Sequence, residues 1–168
     1  MIAPLPCRSM ITADSLVHLL DLAPHPEGGH YREVYRSSLA VQVPGRSVQR
    51  DALTAIHFLL RSGEASRWHR VSSDEVWHHS TGEPVELLLL DPGLEQARRV
   101  VLGPMDLGHA PFHVVPAGWW QAARPLGSFG LCTCLVAPGF DFADFTFMTD
   151  PAQQQHLRAR WPHWAELL

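Results

Sequence analysis

The chain has 168 residues, enough for one domain with a sizeable core and short of what two usually need. Its formal charge of −4 leaves no basic footprint for nucleic acid, and no apolar run reaches the about 18 residues that span a bilayer. Met1–Ser9 lacks a basic region followed by an apolar core, so no signal peptide is read there, and an odd count of three cysteines suits a reduced, cytoplasmic protein.

Fourteen prolines and twelve glycines are spread along the chain, which points to many short elements joined by tight turns and hence to an all-β design. Thr12 caps a predicted helix running to Leu22, with Leu16, Val17, Leu19 and Leu20 as its apolar stripe. Pro24-His25-Pro26-Glu27-Gly28-Gly29 follows as a tightly specified loop. His30–Ser38 alternates as a strand with Tyr31, Glu33 and Tyr35 on one face, and Val41–Asp51 is an exposed loop or hairpin around Pro44-Gly45. Further strands are predicted at Ala52–Leu60, Trp68–Val71, Glu75–Ser80, Val85–Asp91, Arg98–Leu102, Phe112–Val115, Trp119–Ala123 and Leu131–Val136. Eight or more short strands, roughly ten residues apart, suit a closed barrel or a jelly roll. Asp150 as N-cap and Pro151 at the first helical position open a C-terminal helix that runs to about Arg160. No repeat or linker interrupts the chain, so one domain is expected.

The densest chemistry lies between Gly63 and Gly82, where His69, Asp74, Glu75, His78 and His79 are interleaved with tryptophans. Strand alternation puts Trp77 and His79 on the face of Glu75 and turns Val76 and His78 the other way. Cys132 and Cys134 share a strand face, with Cβ atoms roughly 6–7 Å apart, too far for an undistorted disulfide. Lacking a second pair, they make a poor zinc knuckle and are read as buried packing.

Gly63, five residues, His69, then Glu75, six residues, Gly82, followed by Pro116-Ala117-Gly118: this spacing resembles the two motifs of the cupin superfamily. Val71 stands where the first motif has its second histidine, Gln121 where the second motif has its histidine, and Pro125 where it has asparagine. Trp68-His69-Arg70, Thr54-Ala55-Ile56, Asp74-Glu75-Val76-Trp77 and Ala137-Pro138-Gly139-Phe140-Asp141-Phe142 resemble more narrowly the subfamily of cupins without assigned function, over roughly Leu20 to Phe147. The resemblance implies a cupin jelly-roll β-barrel with short terminal helices, a homodimer, and a small-molecule ligand in the barrel mouth. Sugar-nucleotide 3,5-epimerases and germin-like proteins are similar in architecture.

Two chemistries fit these residues. In the first, His69 is a base, Glu75 or Asp74 orients it, and Arg70 or Arg32 stabilises an enolate oxygen, as epimerisation beside a carbonyl requires. In the second, His69, Glu75 and Gln121 hold Fe, Mn, Ni or Zn in a dioxygenase or lyase, with His57, His79 or His113 replacing the missing ligand. A pocket that binds a metabolite without converting it, as a sensor, is the third reading. The substrate would be held by Glu33, Thr54, Trp68, Arg70, Trp77, His79, Trp119, Gln121 and Phe140, with Trp120 adding to the aromatic walls. Glu27, Gly28, Gly29, Tyr31 and Glu33 form a further set, in which Glu33 is the candidate second carboxylate. The Phe140-Asp141-Phe142 stretch is either a lid or a turn anchoring the last helix.

Overall fold

A computed structural model describes residues 11–43, 45 and 47–168; Cys7 and the Met1–Ser9 stretch lie outside the described residues. Helix α1 (Ala13–Leu19) is capped by Thr12, whose side chain accepts from the Ser15 N–H while the Ser15 hydroxyl accepts from the Thr12 N–H. It ends at Leu19 rather than Leu22, because Asp21 takes a left-handed φ of 51° and turns the chain. The strands are β1 (Ala23–Pro24), β2 (His30–Arg36), β3 (Ala40–Gln42), β4 (Gln49–Asp51), β5 (Thr54–Arg61), β6 (Ser66–Val71) and β7 (Asp74–Gly82) in the first half. The second half supplies β8 (Val85–Leu90), β9 (Ala97–Leu102), β10 (Phe112–Val115), β11 (Trp120–Pro125), β12 (Phe129–Ala137), β13 (Phe145–Phe147) and the helix α2 (Pro151–Arg160).

All pairings between these strands are antiparallel. One sheet runs β1-β2-β5-β12-β7-β10, the facing one β13-β6-β11-β8-β9, and β3-β4 is a separate hairpin. This is the expected jelly roll. Val41–Asp51 thus resolves as the hairpin, and β13 is a strand that the sequence reading does not contain.

The facing surfaces meet in a core built on Phe58, Trp77, Leu87, Leu89, Cys132 and Cys134. Both cysteines are free and buried, as the packing reading expects, and burial pushes the Cys132 thiol up to about 12. Strand β8 is buried along its whole length because both of its faces are covered. Leu87 and Leu89 point into the barrel, while Leu88 and Leu90 point out, beneath Leu157 of α2 and Leu167. On the other sheet α1 lays Leu16 over Leu59 and Leu131.

The 25–29 loop is pinned by fit. Gly28 has a φ of +116°, and a Cβ there would stand 2.0 Å from the Ala65 carbonyl oxygen. The loop is therefore pressed onto the β5–β6 turn, and the Arg67 N–H donates to the Glu27 carbonyl at 2.9 Å. Only glycine combines this φ with this approach. Gly28→Ala is accordingly expected to cost about 2–4 kcal/mol. Gly63→Ala, at φ +83° but with nothing within 4 Å, is expected to cost only about 1 kcal/mol. Urea unfolding midpoints of the two variants check the contrast.

Candidate functional site

A cavity of about 580 Å³ opens at one end of the barrel. Its floor carries His69 of β6, Glu75 and Trp77 of β7, and Glu27 of the loop before β2. Its walls are apolar, and Phe140, Phe142 and Phe145 stand around the mouth in edge contact with one another. Phe145 also stacks on the His69 ring, with centroids 5.0 Å apart and planes 17° from parallel.

The floor is held by Gln121 of β11, a fully buried side chain that bridges the two sheets. Its Oε1 accepts from the Trp77 indole N–H at 3.0 Å. Since an indole nitrogen only donates, this contact fixes which end of the amide is oxygen. The amide nitrogen then points at the Glu75 carboxyl (2.6 Å) and at His69 Nε2 (3.0 Å). Nε2 is therefore an acceptor, and Nδ1 carries the ring proton, donated to the Arg67 carbonyl at 2.7 Å. One side chain thus sets the tautomer of His69 and the position of Glu75.

Glu27 completes the set. Ser66 donates to its Oε1 at 2.9 Å, and its Oε2 lies 3.3 Å from His69 Nε2. Its own N–H donates to His25 Nδ1 at 3.3 Å, which leaves the His25 proton on Nε2. Ser66 faces inward because β6 carries an extra residue opposite the Gln121–Ala123 stretch of β11.

Burial dominates the electrostatics. It raises the Glu27 carboxyl from 4.5 to about 8, against the opposing pull of the Ser66 hydroxyl and the Arg67 charge. It raises Glu75 to about 7, with His69 and the Gln121 bond working against it and Glu27 adding to it. It lowers His69, and lowers His25 to about 4. Burial thus favours the uncharged acid and the uncharged imidazole at the Glu27–His69 contact over an ion pair.

The family described as Cupin superfamily (DUF985) matches residues 14–148, most of the chain. The chain belongs to the cupin superfamily. Among solved structures, this cupin is similar to a hypothetical protein from Leishmania major (31% identity, 91% of this chain and 94% of that one, TM-score 0.79). It is equally similar to a protein from Shewanella oneidensis (32% identity, 94% and 95% covered, TM-score 0.78). An oxalate decarboxylase from Bacillus subtilis shares the fold at 13% identity and a TM-score of 0.54, over 83% of this chain and 34% of that one. A search of curated proteins found no match.

Of the residues that the cupin motifs single out, His69, Glu75, Trp77 and Gln121 come together as expected, and Thr54 and Phe140 line the cavity wall, the Thr54 hydroxyl accepting from the Phe140 N–H at 2.9 Å. Phe140 and Phe142 border the opening, in keeping with the lid reading of that stretch. Others do not reach it. Trp68 points outward, its N–H donating to the Trp164 carbonyl (2.8 Å), and Arg70 lies outside over Trp120. Both neighbour His69 in a strand, so alternation turns them away from its face. Trp119 sits under Arg98 and away from the cavity, and His79 shares the inward face but lies beyond the cavity, against the Glu83 carbonyl. His57 bonds to Thr133 on the outer face of the sheet, His113 lies on the edge strand beside Arg98, and the Asp74 carboxylate accepts from the Ala117 N–H. Glu33 stands at the exposed rim in a two-pronged pair with Arg36 (2.8 and 2.6 Å), so the second carboxylate of the floor is Glu27. His25, Ser66, Arg36 and Phe145 are not among the expected site residues; the 24–29 stretch carries the family resemblance without saying which side chains enter the cavity, and the others depend on β-bulges and a short strand.

The three ligands suggested by the motifs do not fit a divalent metal as they are arranged. Gln121 turns its nitrogen, which has no lone pair to give, toward His69 and Glu75, and its ligating oxygen is taken by Trp77. Among the described residues no three His, Cys, Asp or Glu side chains form a metal-ligand group.

Glu27 also sets a pH dependence of stability. The folded barrel keeps this proton up to about pH 8, whereas the unfolded chain releases it near 4.5. Between those values the folded state binds more protons than the unfolded one, so stability falls as pH rises. Glu27→Gln is expected to flatten this decline and to gain on the parent protein by pH 8.5. Urea midpoints from pH 5 to 8.5 test it, and parallel curves would show that Glu27 ionises as an ordinary carboxyl.

Proposed function

We propose that this small-molecule-binding cupin is an isomerase or epimerase that moves a proton beside the carbonyl of an uncharged, sugar-like substrate. The carrying observation is the Glu27–His69–Glu75 floor, in which an acid retains its proton beside an imidazole whose Nε2 lone pair is unprotonated. His69 Nε2 gives up its contact with the Gln121 N–H and takes the proton from the carbon next to the carbonyl. Glu27 gives its proton to the carbonyl oxygen, so that the product of the step is a neutral enol. The imidazolium left behind is stabilised by the Arg67 carbonyl on Nδ1–H and by the Glu27 carboxylate formed 3.3 Å away. Reversal of the two transfers at the other face or at the neighbouring carbon completes epimerisation or isomerisation. The aromatic mouth supports water exclusion and stacking against a sugar ring.

The rim supports an uncharged substrate. Arg36 is matched by Glu33 and by Asp51 at 2.7 Å, and Arg32 donates to the Leu20 carbonyl with Asp21 at 3.9 Å. Among the described residues each rim guanidinium already faces a carboxylate, so a free sugar or lactone suits the mouth better than a sugar nucleotide.

Proton NMR in deuterated buffer, run across neutral aldoses, ketoses and lactones, is expected to reveal exchange next to the carbonyl of at least one of them. His69→Ala and Glu27→Gln should each slow that exchange by about 100- to 10,000-fold. Saturable binding without exchange for every compound would overturn the enzyme and leave a metabolite sensor.

A further inference from the structure

We propose that Trp77, acting through Gln121, is the device that keeps this cupin barrel closed to divalent metals. His69 Nε2 has the Glu27 carboxyl at 3.3 Å and the Gln121 NH₂ at 3.0 Å, and the Glu75 carboxyl lies on the other side of that NH₂ at 2.6 Å; imidazole and carboxylate are donors that suit Mn²⁺ or Zn²⁺, yet as arranged they form no metal-ligand group among the described residues. The Gln121 NH₂ group stands between His69 and Glu75. In the resting floor it faces the His69 lone pair at 3.0 Å and the Glu75 oxygen at 2.6 Å, and it offers no lone pair of its own.

Rotating the amide by half a turn would present oxygen to His69 and Glu75. The rotated amide would also set an N–H against the Trp77 N–H, and both side chains are fully buried, with relative exposures of 0% and 1%. Two buried donors set face to face each forfeit a hydrogen bond, so the rotated state is disfavoured. The indole thereby acts at a distance from any ligand: it touches neither carboxyl nor imidazole through a hydrogen bond, yet it decides which atom of Gln121 they meet. The inference is independent of the reaction, since it concerns only what the floor can bind.

The test compares the full chain with two variants after chelator treatment, using Mn²⁺ alone as the probe. Gln121→Glu exchanges the NH₂ for oxygen with almost no change of shape and keeps an acceptor for Trp77. It is expected to bind one Mn²⁺ per chain about 100-fold more tightly than the parent protein, read by loss of the free Mn²⁺ electron paramagnetic resonance signal and by calorimetry. Trp77→Phe removes the pin without adding a charge, and an approximately tenfold gain is expected. Adding Gln121→Leu to Trp77→Phe should cancel that gain, which a merely loosened core would not do. A parent protein that binds one Mn²⁺ as tightly as Gln121→Glu would overturn the proposal. So would a Trp77→Phe variant, folded by circular dichroism, that gains nothing.

Discussion

An indole N–H can donate and cannot accept, and the interior of this barrel is arranged around that restriction. Trp77 and Glu75 come from one sheet, His69 and Gln121 from the other, and the Gln121 amide is the polar rivet between them. Once its oxygen is assigned to Trp77, the remaining assignments follow without freedom: nitrogen toward Glu75 and His69, an accepting Nε2, and a ring proton on the Arg67 carbonyl. Such a network is expensive if any member is left unsatisfied and rigid when all are. It is surrounded by Phe58, Leu87, Leu89 and the two cysteines, which exclude the water that would otherwise offer alternatives. Apolar packing and side-chain protonation are therefore one problem here, not two.

The same packing explains why two carboxyls hold protons at unusual pH. Neither Glu27 nor Glu75 meets a guanidinium in the floor; their partners are a hydroxyl, an amide and an imidazole. The arginines are instead spent at the rim on Glu33 and Asp51, and on the outer face, where Arg99 and Arg124 hold Glu86 and draw its carboxyl down despite its burial. Three buried glutamates are thus shifted in opposite directions according to whether a guanidinium bonds to them. Charge sorted in this way leaves the proton-holding carboxyls in the floor, beneath a rim of paired charges.

The fold was readable because β-strands advertise themselves through period and punctuation. Val85 to Asp91 and Leu131 to Val136 announce buried strands by apolar runs closed with turn residues, and the glycine and histidine spacing around His69 and Glu75 fixes which family of barrel they build. The floor was half readable for the same reason: His69, Glu75, Trp77 and Gln121 lie on strands, where alternation tells inside from outside. Applied strictly, that rule also excludes Trp68 and Arg70, which flank His69. Glu27 was not readable as a floor residue. It sits in a loop whose path depends on Gly28 meeting the Ala65 carbonyl, a contact across the chain that local pattern does not encode. Ser66 is hidden by a bulge, and Phe145 by a strand of three residues.

Glu27 arrives from that loop, whereas the base and its orienting amide are set in the strands. The two halves of the proposed centre therefore have different mechanical origins. The strand-borne half inherits the stiffness of two sheets and cannot shift without re-registering them. The loop-borne half depends on the close fit of two glycines, Gly28 and Gly29, and a few hydrogen bonds, and loops vary more readily than the strands they join. Among relatives of this fold, chemistry would then diverge first by swapping or losing the acid, with the base retained as an architectural legacy: a barrel that keeps binding its ligand and forgets how to convert it is one short loop away.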